Sequence, residues 1–182
     1  MTAALVAVIV ILGGALVAAG ATHVRERRRV RSAPRRSTRR VLFPFVGQAL
    51  SQRGLDAALR LARVEGAELV PALIVQVPMR MPLDSAQPRQ CEAGMPLLEA
   101  VEQRAMAQDV AVDSRIARGR TVRHALRDLI AAERYDRIVV AAAGTDTEGF
   151  HGEDIAWLLD NAPGEVLIVR PEHEDRVRAS AA

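Results

Sequence analysis

Residues 3 to 21, AALVAVIVILGGALVAAGA, run without one charged or strongly polar side chain, and this stretch divides the chain into two different folding problems. As a helix rising about 1.5 Å per residue it reaches roughly 30 Å, the thickness of a bilayer hydrocarbon core. Ala19-Gly20-Ala21 has the form of a signal-peptidase site, but no positive residue precedes the apolar run and RERRRVRSAPRRSTRR follows closely. Arginines on that flank resist export and hold it in the cytoplasm. The expectation is an uncleaved single-pass anchor over residues 1–22, spanning the inner (plasma) membrane through residues 3–22, with the C-terminal part cytoplasmic.

Charge is segregated in the same way. Arg25 to Arg40 holds nine Arg and one Glu, a charge of +8, whereas from Val41 onward 16 Arg face 21 acidic residues, a charge of −5. Residues 23–40 therefore read as a juxtamembrane linker whose arginines, Arg25 to Arg40, lie against anionic lipid, at roughly 1 kcal/mol per residue near the surface. No aromatic residue interleaves with them, so nucleic acid is not the expected partner. Cys91 is the one cysteine, which leaves no disulfide or CxxC pair within the chain. His23, His124, His151 and His173 are scattered, and the HxE of His151 and Glu153 has no accompanying ligands, so no metal is expected.

From Val41 the apolar pattern switches between short runs and helical spacing. VLFPFV (41–46) and ELVPALIVQV (68–77) read as strands, with Leu55, Ala58, Leu59 and Ala62 on one helical face between them. Residues 78–94, rich in Pro and polar groups, read as a loop, and Leu97, Leu98, Val101 and Ala105 mark a second helix. In 110–118 apolar and polar residues alternate, as on a strand at a sheet edge. Gly119 and Thr121 open a third helix with Thr121 as its cap. DRIVVAAAG (136–144) is a buried strand, Ile155, Leu158, Leu159 and Ala162 mark a fourth helix stopped by Pro163, and EVLIVRP (165–171) is a last strand. Five strands alternating with four helices predict a parallel three-layer α/β sandwich over residues 41–171, followed by a disordered tail at 172–182.

These elements resemble the universal stress protein (UspA-like) family in RRVLFPFVG, LARVEGAELVPALIVQV, RGRTVRHALRDLI, DRIVVAAAG and DIAWLLDNAPGEVLIVRP. The resemblance implies a Rossmann-like sheet of order 3-2-1-4-5 and a homodimer joined through the last strand, residues 165–170. It also implies an ATP site between the ends of the first and fourth strands, where strand order reverses. Carried over residue by residue, the family's Asp at the end of the first strand falls on Val46, followed by Gly47. Gly144 matches the first glycine of the fourth-strand loop and Thr145 follows it, Thr147 replaces the second glycine, Gly149 lies in the shortened loop, and Gly152 matches the last glycine. Glu153 stands where Ser or Thr would meet phosphate.

A helix N-terminus attracts anions through free N–H groups and a partial positive charge. Glu153 and Asp154 would occupy that terminus themselves and repel a triphosphate, with Asp146 and Glu148 adding to the repulsion. ATP is therefore not expected as a bound cofactor in the family's mode. Ser51, Ser85 and Ser114 have no nearby His, and Thr121 near His124 reads as a cap, so no catalytic residue is assigned. The expectation is a non-enzymatic, membrane-tethered sensor or interaction module with a degenerate nucleotide site. The alternative is a universal stress protein regulated by an adenine nucleotide that it approaches through the backbone of Gly47, Gly144, Gly149 and Gly152.

Overall fold

The computed structural model describes residues 39–47, 49–143, 149–170 and 176–178. The expected anchor and the linker as far as Thr38 lie outside the described residues. Among the described residues no helix is long and apolar enough to cross a membrane.

Short apolar runs form strands and amphipathic segments form helices, in the order β1 (Arg40–Val46), β2 (Ala49–Ser51), α1 (Gln52–Glu65), β3 (Glu68–Gln76), α2 (Pro88–Met106), β4 (Arg115–Gly119), α3 (Val122–Ala132), β5 (Arg137–Ala141), α4 (Gly152–Asn161), β6 (Glu165–Val169) and β7 (Arg176–Arg178). Five of the strands make one all-parallel sheet of order β4-β3-β1-β5-β6. The labels depart from the expected 3-2-1-4-5 because β2, a short strand absent from the sequence reading, enters the chain numbering. Counted among the five sheet strands alone, the order runs 3-2-1-4-5.

The continuous apolar runs follow from burial on both faces. Val41, Phe43 and Phe45 of β1 pack with α1 and α2, whereas Leu42 joins the opposite core with Ala125 and Leu126 of α3 and Leu158 of α4. Helix ends obey local chemistry. Ser51 caps α1 by accepting from the Gly54 N–H at 3.0 Å, and the Thr121 hydroxyl accepts from the His124 N–H at 3.1 Å, which makes Thr121 the cap expected of it.

Several boundaries differ from the sequence reading, among them the strand read over 110–118, which spans Arg115–Gly119, and the strand read over 136–144, which ends at Ala141. Helix α2 starts at Pro88, inside the segment read as a loop, because proline in the first helical turn forfeits no hydrogen bond. Gly119 closes β4 instead of opening α3. Arg176–Arg178, expected to be disordered tail, forms β7 and pairs antiparallel with β2 through Leu50↔Val177. Arg40, expected in the lipid-facing linker, belongs to the fold.

Arg40 is the first residue of β1, and its side chain is only 10% exposed. Its guanidinium contacts Glu68 at 3.0 Å, Asp113 at 2.8 Å and Glu133, and lies 5.7 Å from the centre of the Tyr135 ring. Arg115 joins the same group through Asp113 at 2.6 Å and Glu133 at 3.1 Å. Burial works to lower the Arg40 pKa, but the hydrogen bond and charge of Glu133, aided by Glu68 and Asp113, outweigh it, so the net shift is upward. Burial, with the Glu133 charge, pushes the Tyr135 phenol up as well. A guanidinium committed to three carboxylates inside the domain is not available to lipid.

Candidate functional site

In a parallel sheet the crevice for a ligand opens at the carboxyl ends of the strands where strand order reverses, here between β1 and β5. Strand β1 ends at half-buried Val46, and Gly47 follows with φ 79°, a left-handed conformation that turns the chain towards β2. Among the described residues, Val46 and Gly47 put no acidic side chain at the end of β1.

Strand β5 ends at Ala141. The Ala142 N–H then donates to the Val169 carbonyl of β6 at 2.9 Å, and the Ala143 N–H donates to the Phe150 carbonyl at 2.8 Å. Phe150 forms a parallel bridge with Ala142 and is 2% exposed, so it anchors the returning arm of the loop in the core. Gly149 has φ 143°, and a Cβ there would lie 3.3 Å from the Cα of Ala143. Backbone packing therefore accounts for Gly149 without a ligand. Gly144 and Thr145, together with Asp146, Thr147 and Glu148, lie outside the described residues.

Helix α4 begins at exposed Gly152. His151 supplies no side-chain cap, but its carbonyl accepts from the N–H groups of Asp154 and Ile155. Glu153 and Asp154 occupy the first turn, as the sequence implied, and they are not bare. Arg123 of α3 donates from Nη2 to Glu153 at 2.9 Å and places Nε 3.3 Å from Asp154. Asp154 is largely buried, whereas the Glu153 side chain is 81% exposed. The two acids of this first turn share one arginine, which leaves the three side chains with a net charge of −1, while Asp146 and Glu148, the other two acids of the sequence reading, lie outside the described residues.

Arg123 was not singled out in the sequence. It lies two residues after the Thr121 cap in RGRTVRHALRDLI, and its meeting with α4 depends on the packing of two helices 30 residues apart. Around the crevice, His124 accepts at Nδ1 from the Arg120 N–H at 3.3 Å and sits 3.4 Å from Asp128. Arg120 is spent on the carbonyls of Val77, Pro78 and Met81, which ties the loop after β3 to the end of β4. Among the described residues no group of three or more His, Cys, Asp or Glu could hold a metal ion.

Solved structures of similar shape share this architecture. A universal stress family protein from Burkholderia pseudomallei is 24% identical over 76% of this chain and all of its own, with a TM-score of 0.55. A universal stress protein solved in complex with cAMP is 22% identical over 74% of this chain and 98% of its own, with a TM-score of 0.55. An Arabidopsis thaliana family member with AMP bound is 14% identical over 75% of this chain and 94% of its own, with a TM-score of 0.53. No curated protein matches the chain. At these identities the likeness is one of fold. The sequence profile of the universal stress protein family matches residues 37–170, from just ahead of β1 to just beyond β6. By its profile and its fold together, the chain belongs to the universal stress protein family.

Proposed function

We propose that this protein is a membrane-tethered universal stress protein domain facing the cytoplasm, acting without catalysis as a sensor or interaction module whose nucleotide site is degenerate. The observation that carries this reading is the first turn of α4, where Glu153 and Asp154 stand at the end that would receive phosphate and are already satisfied by Arg123. The test is calorimetry of fragment 38–182, which includes Arg40, with ATP, ADP, AMP and a cyclic dinucleotide, with and without magnesium. The expected result is no saturable heat at micromolar concentration, and micromolar binding of any of them overturns the reading.

A gain-of-function change probes the same point. Val46→Asp with Glu153→Ser supplies an acid at the end of β1 and removes one charge from the phosphate end. Relieving one like charge about 6 Å away, at an effective dielectric of about 40, is expected to raise ATP affinity about tenfold. Equal heats for the variant and the parent would mean that Glu153 does not govern access.

A second reading, regulation by an adenine nucleotide, draws support from the structures with cAMP and AMP bound. A monophosphate brings less charge to the crevice than a triphosphate, and Arg123 offers it a cation. On this reading AMP binds more tightly than ATP, an order that Arg123→Ala abolishes.

The tether rests on the apolar run at residues 3–22 and on the arginines from Arg25 to Arg39. Protease added to intact spheroplasts is expected to leave the C-terminal domain uncut. The homodimer is proposed through β6, an edge strand on which Leu167 is 43% and Ile168 40% exposed. Leu167→Asp with Ile168→Asp is expected to sediment as a monomer where the parent fragment sediments as a dimer, with an unchanged melting profile at high dilution.

A further inference from the structure

We propose that the free edge of β4 accepts an extended acidic segment of a partner protein, which adds as a sixth strand beside Arg115–Gly119. This deepens the interaction-module reading, and the nucleotide titration above tests that reading separately.

Strand β4 ends the sheet and pairs with β3 on one side only; among the described residues no strand pairs with its other side. Such an edge presents a row of N–H and C=O groups ready for an added strand. The register sets Ile116 beside Leu73 and Arg118 beside Val75, on the face covered by α1 and α2. Alternation brings Ser114 to that face as well. Along this strip Ile116 is 37% exposed, and both the Ser114 hydroxyl and the Arg118 Nε are buried without a hydrogen-bond partner.

Arg118 is one of several arginines without a carboxylate partner among the described residues, and it is set apart by a buried, unpartnered Nε on a strand edge. Arg40, Arg115, Arg123 and Arg137 each meet one or more carboxylates. Among the described residues none lies within ion-pair distance of Arg118, and Arg120, just beyond the strand, binds carbonyls and no acid. The end of β4 is thus a cationic edge with an apolar residue two positions before the arginine. A neighbouring strand places its side chains directly beside these three, so complementarity asks for an acid beside Arg118, an apolar group beside Ile116 and a hydrogen-bonding group beside Ser114. A second β4 edge supplies no acid, because aligned antiparallel on Ile116 it sets Ser114 of one copy beside Arg118 of the other and leaves both arginines unbalanced.

The experiment titrates the ¹⁵N-labelled full chain in detergent micelles with a peptide containing Glu-Thr-Val-Thr-Glu, which offers an acid two residues from Val in either direction, and with its Lys-Thr-Val-Thr-Lys counterpart. The acidic peptide is expected to shift and slow the amides of Arg115–Gly119 and to bind about tenfold more tightly than the basic one. Arg118→Gln removes the preference and Arg118→Glu reverses it, while an unchanged amide spectrum away from β4 shows that each variant stays folded. Equal binding of the two peptides, or no response of β4 at millimolar peptide, overturns the proposal. So does growth of the chain beyond a dimer at the concentrations used, which would mean that another copy's β6 edge occupies β4.

Discussion

Arg40→Met is expected to destabilise fragment 38–182 by about 3 kcal/mol, because it removes the cation shared by three carboxylates. Breaking a buried ion pair costs about 3–5 kcal/mol when the remaining charge is stranded, and the lower end applies since Glu68, Asp113 and Glu133 keep 24–30% of their side-chain surface in water. A domain of this size should then melt about 10 °C lower, measured by calorimetry or circular dichroism. Arg40→Lys should fall between, since a point charge cannot engage three acids in the fixed fork of a guanidinium. Arg123→Ala, which breaks the exposed pair with Glu153 and also takes the cation from beside largely buried Asp154, should cost about 1–2 kcal/mol, still less than Arg40→Met. Equal shifts for Arg40→Met and Arg123→Ala would show that the buried group does not hold the start of β1.

The contrast between these two arginines shows what a sequence can disclose. The strands and helices were legible because burial on two faces imposes unbroken apolar runs and burial on one face imposes helical spacing, as VLFPFV and Leu55, Ala58, Leu59 and Ala62 illustrate. Arg40 reads as part of the linker because the arginines before it dominate its local composition. Its partners come from β3, the segment before β4 and the segment after α3, and they converge only in space. Pro88 starts α2 from within a segment whose proline and polar content reads as a loop, and the three residues of β7 are too few to show a period. At the crevice, the missing acid at Val46 follows from the family resemblance, and the acids at Glu153 and Asp154 from their place at the start of a helix. That Arg123 meets both acids follows from neither, because a contact between two helices leaves no mark on either sequence. Gly149 carries the opposite lesson, since a glycine in a phosphate-loop position is explained here by its close approach to Ala143.

Phe150→Ala tests whether the crevice keeps its shape through the core. Phe150 belongs to the hydrophobic cluster that includes Tyr135, Ala125, Leu126 and Leu158, and its carbonyl accepts the Ala143 N–H, so one residue joins the loop after β5 both to the core and to the strand end. Truncation to Ala should cost about 3–5 kcal/mol through lost burial and the cavity left behind. Phe150→Leu, which keeps most of the volume, should cost less than about 1.5 kcal/mol and remain folded for comparison. Hydrogen exchange then separates local from global effects. If Phe150 closes the loop, the Ala143 amide in Phe150→Leu should exchange faster than the fall in global stability requires, while core amides such as Val140 follow global stability alone. If Ala143 and Val140 change in parallel, the loop is held by the sheet and not by the aromatic ring, and the position of Glu153 over the crevice owes nothing to Phe150.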